Sequence, residues 1–455
     1  MWNRRQFLGV SAGVATASLP AAAKAAGEGE PALRVGATDS VQFGVFANAP
    51  VDQSRAFQDM LEQASENDLV VFLAAGSYVL NDIRLPARTR LAGVPGATKL
   101  IFGGGRFLLF GRGCEHVELG GITFDGVRRN MDDTVRGLVD LRAARRVAID
   151  DCTIANSGKY GLVLDGCSGR VERTTVTAAT EAAIYAVNST GLRIADNTVA
   201  DCDNGGILVH RTEIGPDGTI VSGNSVERIA ALYGGTGPFG NGINVYRAGN
   251  VVVSNNVVAD CAFSAIRANA ASNLQILGNN CSRSGETAVY AEFSFEGAVI
   301  SNNIVDGAAN GISIVNFNEG GRLAVCSGNI VRNLRTSGPY QADPPGFGVG
   351  ITVEAETSVT GNVVENAPRY GMHLGWGPFL RNVVVTGNVI RKTGEGIAVS
   401  VVEGTGTVVI SDNVINETPS GAIVGHRWTE AVTGDLAREG AAGFPGLLIE
   451  RNHVS

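Results

Sequence analysis

The sequence predicts an all-β fold, a single-stranded right-handed parallel β-helix solenoid with an N-terminal capping helix, and three observations predict it. The stretch Leu192-Arg193-Ile194-Ala195-Asp196-Asn197-Thr198-Val199-Ala200-Asp201-Cys202 is rewritten around Asn224, Asn256, Asn279, Asn303, Asn329, Asn362, Asn388, Asn413 and Asn452, at intervals of 23 to 39 residues. A recurrent unit of this size marks a solenoid. A second signature follows the Asn, a Gly and then alternating apolar residues, as in Gly206-Ile207-Leu208-Val209, Gly242-Ile243-Asn244-Val245, Gly311-Ile312-Ser313-Ile314, Gly350-Ile351-Thr352-Val353 and Gly396-Ile397-Ala398-Val399. The third observation is the period of two in both segments, which places one set of side chains inward and leaves no helix in the unit. Stacked coils then pair these strands in parallel at about 4.8 Å, each coil burying the apolar face its neighbour cannot cover alone. The recurrent Asn is expected at the bend between strands, in a left-handed conformation, its side chain bonding the backbone of the neighbouring coil.

Taken in order, Met1 to Ala26 reads as an export signal. Asn3-Arg4-Arg5-Gln6-Phe7-Leu8 resembles the twin-arginine motif, and a weakly apolar run from Gly9 to Leu19 precedes small residues, Ala23-Lys24-Ala25, suited to cleavage. That run is too short to span a bilayer, so the mature chain is expected in the periplasm or secreted, without a stable membrane anchor. Residues 27–115 form a lead-in segment and N-terminal cap. Within them Asp52 to Glu66 is an amphipathic helix, with Asp52 as N-cap and Phe57, Met60, Leu61 and Ala64 on its apolar face. Residues 116–455 carry the repeats, which begin irregularly, with Ile122, Cys152 and Thr174 in the Asn position of the first three units. The 61 glycines of the chain suit many tight bends. Cys114, Cys152, Cys167, Cys202, Cys261, Cys281 and Cys326 form no CxxC pair, and the stacking positions of Cys152 and Cys281 make them buried thiols rather than half-disulfides.

These repeats resemble the pectate-lyase-like β-helix proteins, in particular exported repeat proteins of bacteria, over roughly residues 40 to 455. The resemblance implies that the helix before the first strands caps the open end of the solenoid, which would otherwise present a free sheet edge. It also implies a polysaccharide partner. The fold itself carries lyases, hydrolases, epimerases and binding proteins. The clustered Asp residues of related hydrolases and the Asp-Pro-His-Glu signature of alginate epimerases are both missing from this sequence.

Charge and insertions narrow the chemistry. A net charge of −8 excludes a generic nucleic-acid binder, which needs a basic face for phosphates. Arg128, Arg129, Arg136, Arg142, Arg145 and Arg146 form either a basic patch or solvated coil edges paired with Asp132, Asp133 and Asp140, and the second reading is preferred. Two insertions precede the Gly-Ile strand, at 229–241 and 334–349, and two follow it, at 211–219 and 427–446. Lengthened loops carry function, and inserts on both sides of one strand wall a groove along its sheet.

The alternation lists the residues that face this groove. One outward column runs Val163, Tyr185, Leu208, Asn244, Arg267, Tyr290, Ser313, Thr352, His373, Ala398, Val424; the next runs Asp165, Val187, His210, Tyr246, Asn269, Glu292, Val315, Glu354, Gly375, Ser400, His426. Tyr246, Arg267, Tyr290, Glu292 and His210 are the candidate catalytic residues. Arg211, Asn244, Arg247, Asn269, Glu354, His373, Trp376 and His426 are the candidate substrate-binding residues. The preferred reaction is β-elimination on a uronic-acid glycan, with Arg267 neutralising the carboxylate and Tyr246, Tyr290 or His210 moving the proton. A non-catalytic glycan-binding or scaffold role is the alternative. Hydrolysis is the third, with Glu292 and Glu354 two coils, about 9.6 Å, apart. No cofactor is expected; calcium needs several converging oxygens, and no Asp-rich loop announces them.

Overall fold

The computed structural model describes residues 36–455, and the export signal read in residues 1–26 lies outside them. The strands that precede the recurrent Asn stack into one sheet of 16, from Thr38–Asp39 to Leu447–Glu450. The strands after the Asn and after the Gly form the other two faces of each coil, and they run together in the 12-residue strands Val363–Leu374 and Val389–Ser400. Pairing between coils is parallel, and the exception is Ile423–Arg427 against Glu430–Asp435, where the insert at 427–446 folds back as an antiparallel hairpin. Among the described residues no helix is long and apolar enough to cross a membrane.

Inward columns explain why these sequences stack. Ile194, Val221, Val253, Ile276, Ile300, Cys326, Val359, Val385 and Ile410 are register partners in successive coils and fully buried. All seven cysteines are free and buried. Burial pushes the thiols of Cys152 and Cys281 up to about 12. The Gly of the second signature is required by close approach: a Cβ at Gly206 would stand 2.2 Å from the carbonyl oxygen of Gly242 in the next coil.

Parallel pairing extends N-terminal to residue 116. Gly76–Leu80 pairs with Thr98–Phe102, and Arg88–Ala92 with His116–Gly120, so the lead-in segment contributes coils of its own. The capping helix covers Ser54–Glu66, with Phe57, Met60, Leu61 and Ala64 buried. It begins two residues later than the sequence predicts. Asp52 is not the N-cap; its carboxylate accepts the Ser54 N–H at 2.8 Å, one residue before the cap at Gln53. The helix closes the free edge chemically as well as sterically. Gln58 donates to the Arg84 carbonyl at 3.0 Å and accepts the Arg84 N–H at 2.9 Å, as a neighbouring strand would.

The recurrent Asn forms a continuous ladder from Asn197 to Asn452, buried as far as Asn413 and half-buried at Asn452. Asn256 is representative: its Oδ1 accepts the backbone N–H and the Nδ2 of Asn224, both at 2.9 Å, and its own Nδ2 donates to the Val221 carbonyl at 3.0 Å. The left-handed residue is not the Asn itself, as the sequence reading has it, but the one before it: Asp196, Asn255 and Asn302 have φ of 57°, 56° and 60°, and Gly223 and Gly278 take the same place. An Asn256→Leu substitution strands the Asn224 N–H and the Val221 carbonyl in a dry bend. A loss on the order of 1 to 3 kcal/mol is expected, read as a lower midpoint in chemical denaturation. An unchanged midpoint would contradict the ladder's energetic role.

Candidate active site

The outward columns stand as the alternation predicts. Val163, Tyr185, Leu208, Asn244, Arg267, Tyr290, Ser313, Thr352, His373, Ala398 and Val424 are consecutive register partners. Along the second column Asp165, Val187, His210, Tyr246, Asn269 and Glu292 pair in the same way, as do Ser400 and His426. The candidate residues therefore share one face. Side-chain contacts gather them into four groups along the stack, and neighbouring groups touch where the Arg267 guanidinium lies 4.8 Å over the Tyr290 ring and where Tyr370 meets both His373 and His426.

In the first group the aromatic faces are occupied by protein. Tyr160 stacks on Tyr185 at 4.7 Å, and His210 meets Tyr185 and Tyr246 edge-on at 5.5 and 5.6 Å. His210 sits 2.8 Å from the Asn244 Oδ1, and burial lowers its pKa to about 4, so the ring is neutral near pH 7. The Arg247 guanidinium lies over Tyr246 at 4.8 Å while donating to the Thr212 carbonyl, and Arg211 reaches the Ser189 carbonyl at 3.5 Å. This is a self-stacked ladder.

The second group overturns the exposed Arg267 of the sequence reading. Arg267 is only 8% exposed, and its guanidinium holds Glu292 by two hydrogen bonds of 2.6 and 3.0 Å. A second carboxylate, Glu286, 1% exposed, lies 3.5 Å from Arg267 Nη1. Thr236 donates to Glu286 Oε2 at 2.7 Å, and Tyr340 donates to Glu286 Oε1 at 2.6 Å. Asn269 adds a bond to Glu292 at 3.2 Å. Thr236 belongs to the insert at 229–241 and Tyr340 to that at 334–349, so the two inserts are tied to the sheet and to each other through one buried carboxylate. Outward from the core is therefore not outward to water at this point of the stack.

The third group lines a cleft of about 400 Å³ between the insert at 334–349 and the turn at 316–319. Tyr290, Glu354, His373 and Trp376, all named by the sequence, meet there with Asn310, Asn316, Tyr340, Asp343 and Phe379, which the outward columns do not contain. Glu354 is 7% exposed and accepts the Phe317 N–H at 2.6 Å. Burial raises its carboxyl to about 7 against the opposing pull of the Phe317 and Asn316 amides. Phe317 is itself held by Phe379 at 6.4 Å and by the Arg381 guanidinium at 4.3 Å, which fixes the amide that Glu354 uses. Burial, with a smaller contribution from His426, lowers His373 to about 4, leaving it neutral. Its ring stacks on Tyr370 at 5.7 Å and abuts Trp376 at 6.1 Å. A carboxyl close to half protonation beside a neutral imidazole can give a proton and take one near neutral pH.

His426 belongs to a fourth, buried group. Its Nε2 lies 2.7 Å from Glu395 Oε2, and its ring meets the edge of Tyr370 at 5.4 Å. Among the described residues no three His, Cys, Asp or Glu side chains converge as a metal site.

No curated protein matches this chain in sequence. Among solved structures, the pre-mature gene product 12 of bacteriophage phi29 is similar with a TM-score of 0.53 at 16% identity, over 88% of this chain and 58% of that one. The mannuronan C-5 epimerase AlgE6 A-module of Azotobacter vinelandii (16% identity, 92% of this chain and 99% of that chain) gives a TM-score of 0.45. The catalytic unit of the GH87 alpha-1,3-glucanase of Streptomyces thermodiastaticus (13% identity, 94% and 69%) gives 0.47. At 16% identity the likeness to the phi29 protein is one of fold. The sequence profile described as right handed beta helix region matches residues 130–238 and 214–381, more than half of the 455 residues, and the chain belongs to that family.

Proposed function

We propose that the chain is an exported polysaccharide-active enzyme that cleaves a glycosidic linkage by acid–base chemistry in the cleft around Glu354. The observation that carries this reading is a nearly buried carboxyl, raised to about 7, lining a cleft walled by Tyr340, Trp376 and Phe379. A general acid works best with a pKa near the operating pH, and a desolvated carboxyl is how glycosidases obtain one. Asp343, exposed on the insert and lining the same cleft, is the second carboxyl that hydrolysis needs. Glu292 is not available for that part, because Arg267 holds it. Among the described residues that line the cleft none is Lys or Arg, which favours a sugar without charge at the reacting unit.

β-Elimination on a uronic-acid glycan is the second reading, and the neutral His373 in the cleft favours it. Arg267 loses its role there, since its guanidinium already serves two carboxylates. A protonated Glu354 would take that part, donating to the substrate carboxylate as His373 or Tyr290 moves the proton. The two reactions separate in one experiment. The mature protein is incubated with neutral and acidic polysaccharides while reducing ends and unsaturated-product absorbance are followed together. Reducing ends without absorbance are expected, absorbance would establish the lyase, and retention of a glycan without either product would leave a binding protein.

Export by the twin-arginine route belongs to the same proposal. Changing both Arg4 and Arg5 to Lys is expected to hold the folded precursor in the cytoplasm, since the receptor reads the paired arginines. Undiminished periplasmic accumulation in a cell fractionation would contradict it.

A further inference from the structure

The arginines between the first irregular coils fall into two sets. Arg128 lies 3.7 Å from Asp203, Arg136 pairs with Asp165, Arg142 grips Asp140 with bonds of 3.0 and 2.8 Å, and Arg129 donates to the Gly103 carbonyl. Three of these are neutralised coil edges, as the sequence reading prefers, but only Asp140 is an expected partner; Asp203 and Asp165 take the place of Asp132 and Asp133, and Arg129 meets a backbone carbonyl. Arg145 and Arg146 are different: both are exposed, and neither has a carboxylate at ion-pair distance among the described residues.

Stacking places this unpaired couple beside other cations. Arg88 is the register partner of His116, and Val117 pairs with Val147, so positions 88, 116 and 146 form one column on the 16-stranded sheet. Arg90 stands one outward position further along. With Arg145 they line a cavity of about 510 Å³ whose acidic members are Asp68 and Glu115. Asp68 is already engaged, 2.9 Å from Arg90 and 3.9 Å from Arg88. Four Arg outnumber the two carboxylates of the lining and Glu118, 3.7 Å from His116, so the cavity carries positive charge in excess, in a chain of net charge −8. Like charges held at coil spacing repel one another unless an anion joins them.

We propose that this cavity is a binding site for a tetrahedral oxyanion of two negative charges, a free phosphate or sulfate ion or a phosphate group esterified to a sugar. Guanidinium forks match the paired oxygens of such a group, and a tetrahedral dianion presents enough oxygens for several forks at once. A planar carboxylate satisfies one. The site is carried by Arg88–Ala92 and His116–Gly120 near the N-terminal end of the 16-stranded sheet, whereas Glu354 lies between Val349–Val353 and Ala355–Thr360 many coils further along, so it is independent of the cleft chemistry.

The test is calorimetric titration of the mature chain, at physiological ionic strength, with inorganic phosphate, sulfate, a hexose 6-phosphate and glucuronate. Phosphate and sulfate are expected to bind more tightly than glucuronate. The double variant Arg145→Ala/Arg146→Ala is expected to weaken them by about ten- to hundredfold, the loss of one or two charge-assisted bonds. Arg145→Lys/Arg146→Lys keeps the charge without the fork and should fall between. Arg283→Ala, on an exposed pair with Asp260, should bind as the parent does. A hexose phosphate bound more tightly than inorganic phosphate identifies an esterified ligand, and equal affinities identify the free ion. Absent binding of every anion, glucuronate equal to phosphate, or a double variant indistinguishable from the parent would overturn the assignment.

Discussion

Replacing Glu354 with Gln is expected to lower glycan turnover by about 10²- to 10⁴-fold, the usual contribution of one positioned acid or base. The parent's kcat is expected to fall as pH rises through about 7, as the acid loses its proton, and the variant's residual activity to lose that limb. Stability falls over the same range. The folded protein holds the Glu354 proton more tightly than the unfolded chain, whose carboxyl has its ordinary value of 4.5. The stabilisation is full below that value and is lost as pH rises through about 7, by on the order of 3 kcal/mol. Gln carries no charge to desolvate and keeps an oxygen for the Phe317 amide. The variant is therefore expected to match the parent in thermal unfolding near about pH 4 and to exceed it near about pH 8. Equal melting temperatures at both would show that Glu354 is not desolvated in the folded state.

Arg267→Ala is expected to destabilise the fold by about 3 to 5 kcal/mol, because it leaves Glu286 and Glu292 buried without their cation. Exposed Arg283 pairs with Asp260 at 2.6 Å, and its removal is expected to leave the urea midpoint almost unchanged. Urea denaturation of the two variants side by side measures the contrast. A small, equal effect in both would mean that water reaches the Arg267 network. The same substitution should loosen both inserts, since Thr236 and Tyr340 hold the sheet through Glu286, and limited proteolysis within 229–241 and 334–349 reports that directly.

The two variants mark where sequence reasoning reaches and where it stops. Period-two alternation dictates which side chains leave the core, so the columns through Arg267, Tyr290 and His373 are legible residue by residue, as is the ladder from Asn197 to Asn452. Exposure is not legible in the same way, because it depends on where the inserts lie, and an irregular loop has no period to read. Thr236 and Tyr340 fold back over the sheet and turn Arg267 from an expected surface group into a buried ion-pair centre. Glu286, in the turn before Thr287–Glu292, belongs to no alternating column and gives no signal. Asp343 reaches the cleft, and the Phe317 amide reaches Glu354, from irregular segments for the same reason. Glu354 and His373 are visible as outward residues, but the burial that perturbs both pKa values is assembled only in the folded chain.

The most direct measurement is a crystal structure of Glu354→Gln soaked with an oligosaccharide from a polysaccharide that the parent protein cleaves. The account predicts a chain lying between Tyr290 and Trp376, with a glycosidic oxygen within hydrogen-bond distance of the residue 354 amide and Asp343 on the far side of the linkage. An oligosaccharide seated along the Tyr160–Tyr246 ladder or on the 16-stranded sheet, with the cleft empty, would contradict it.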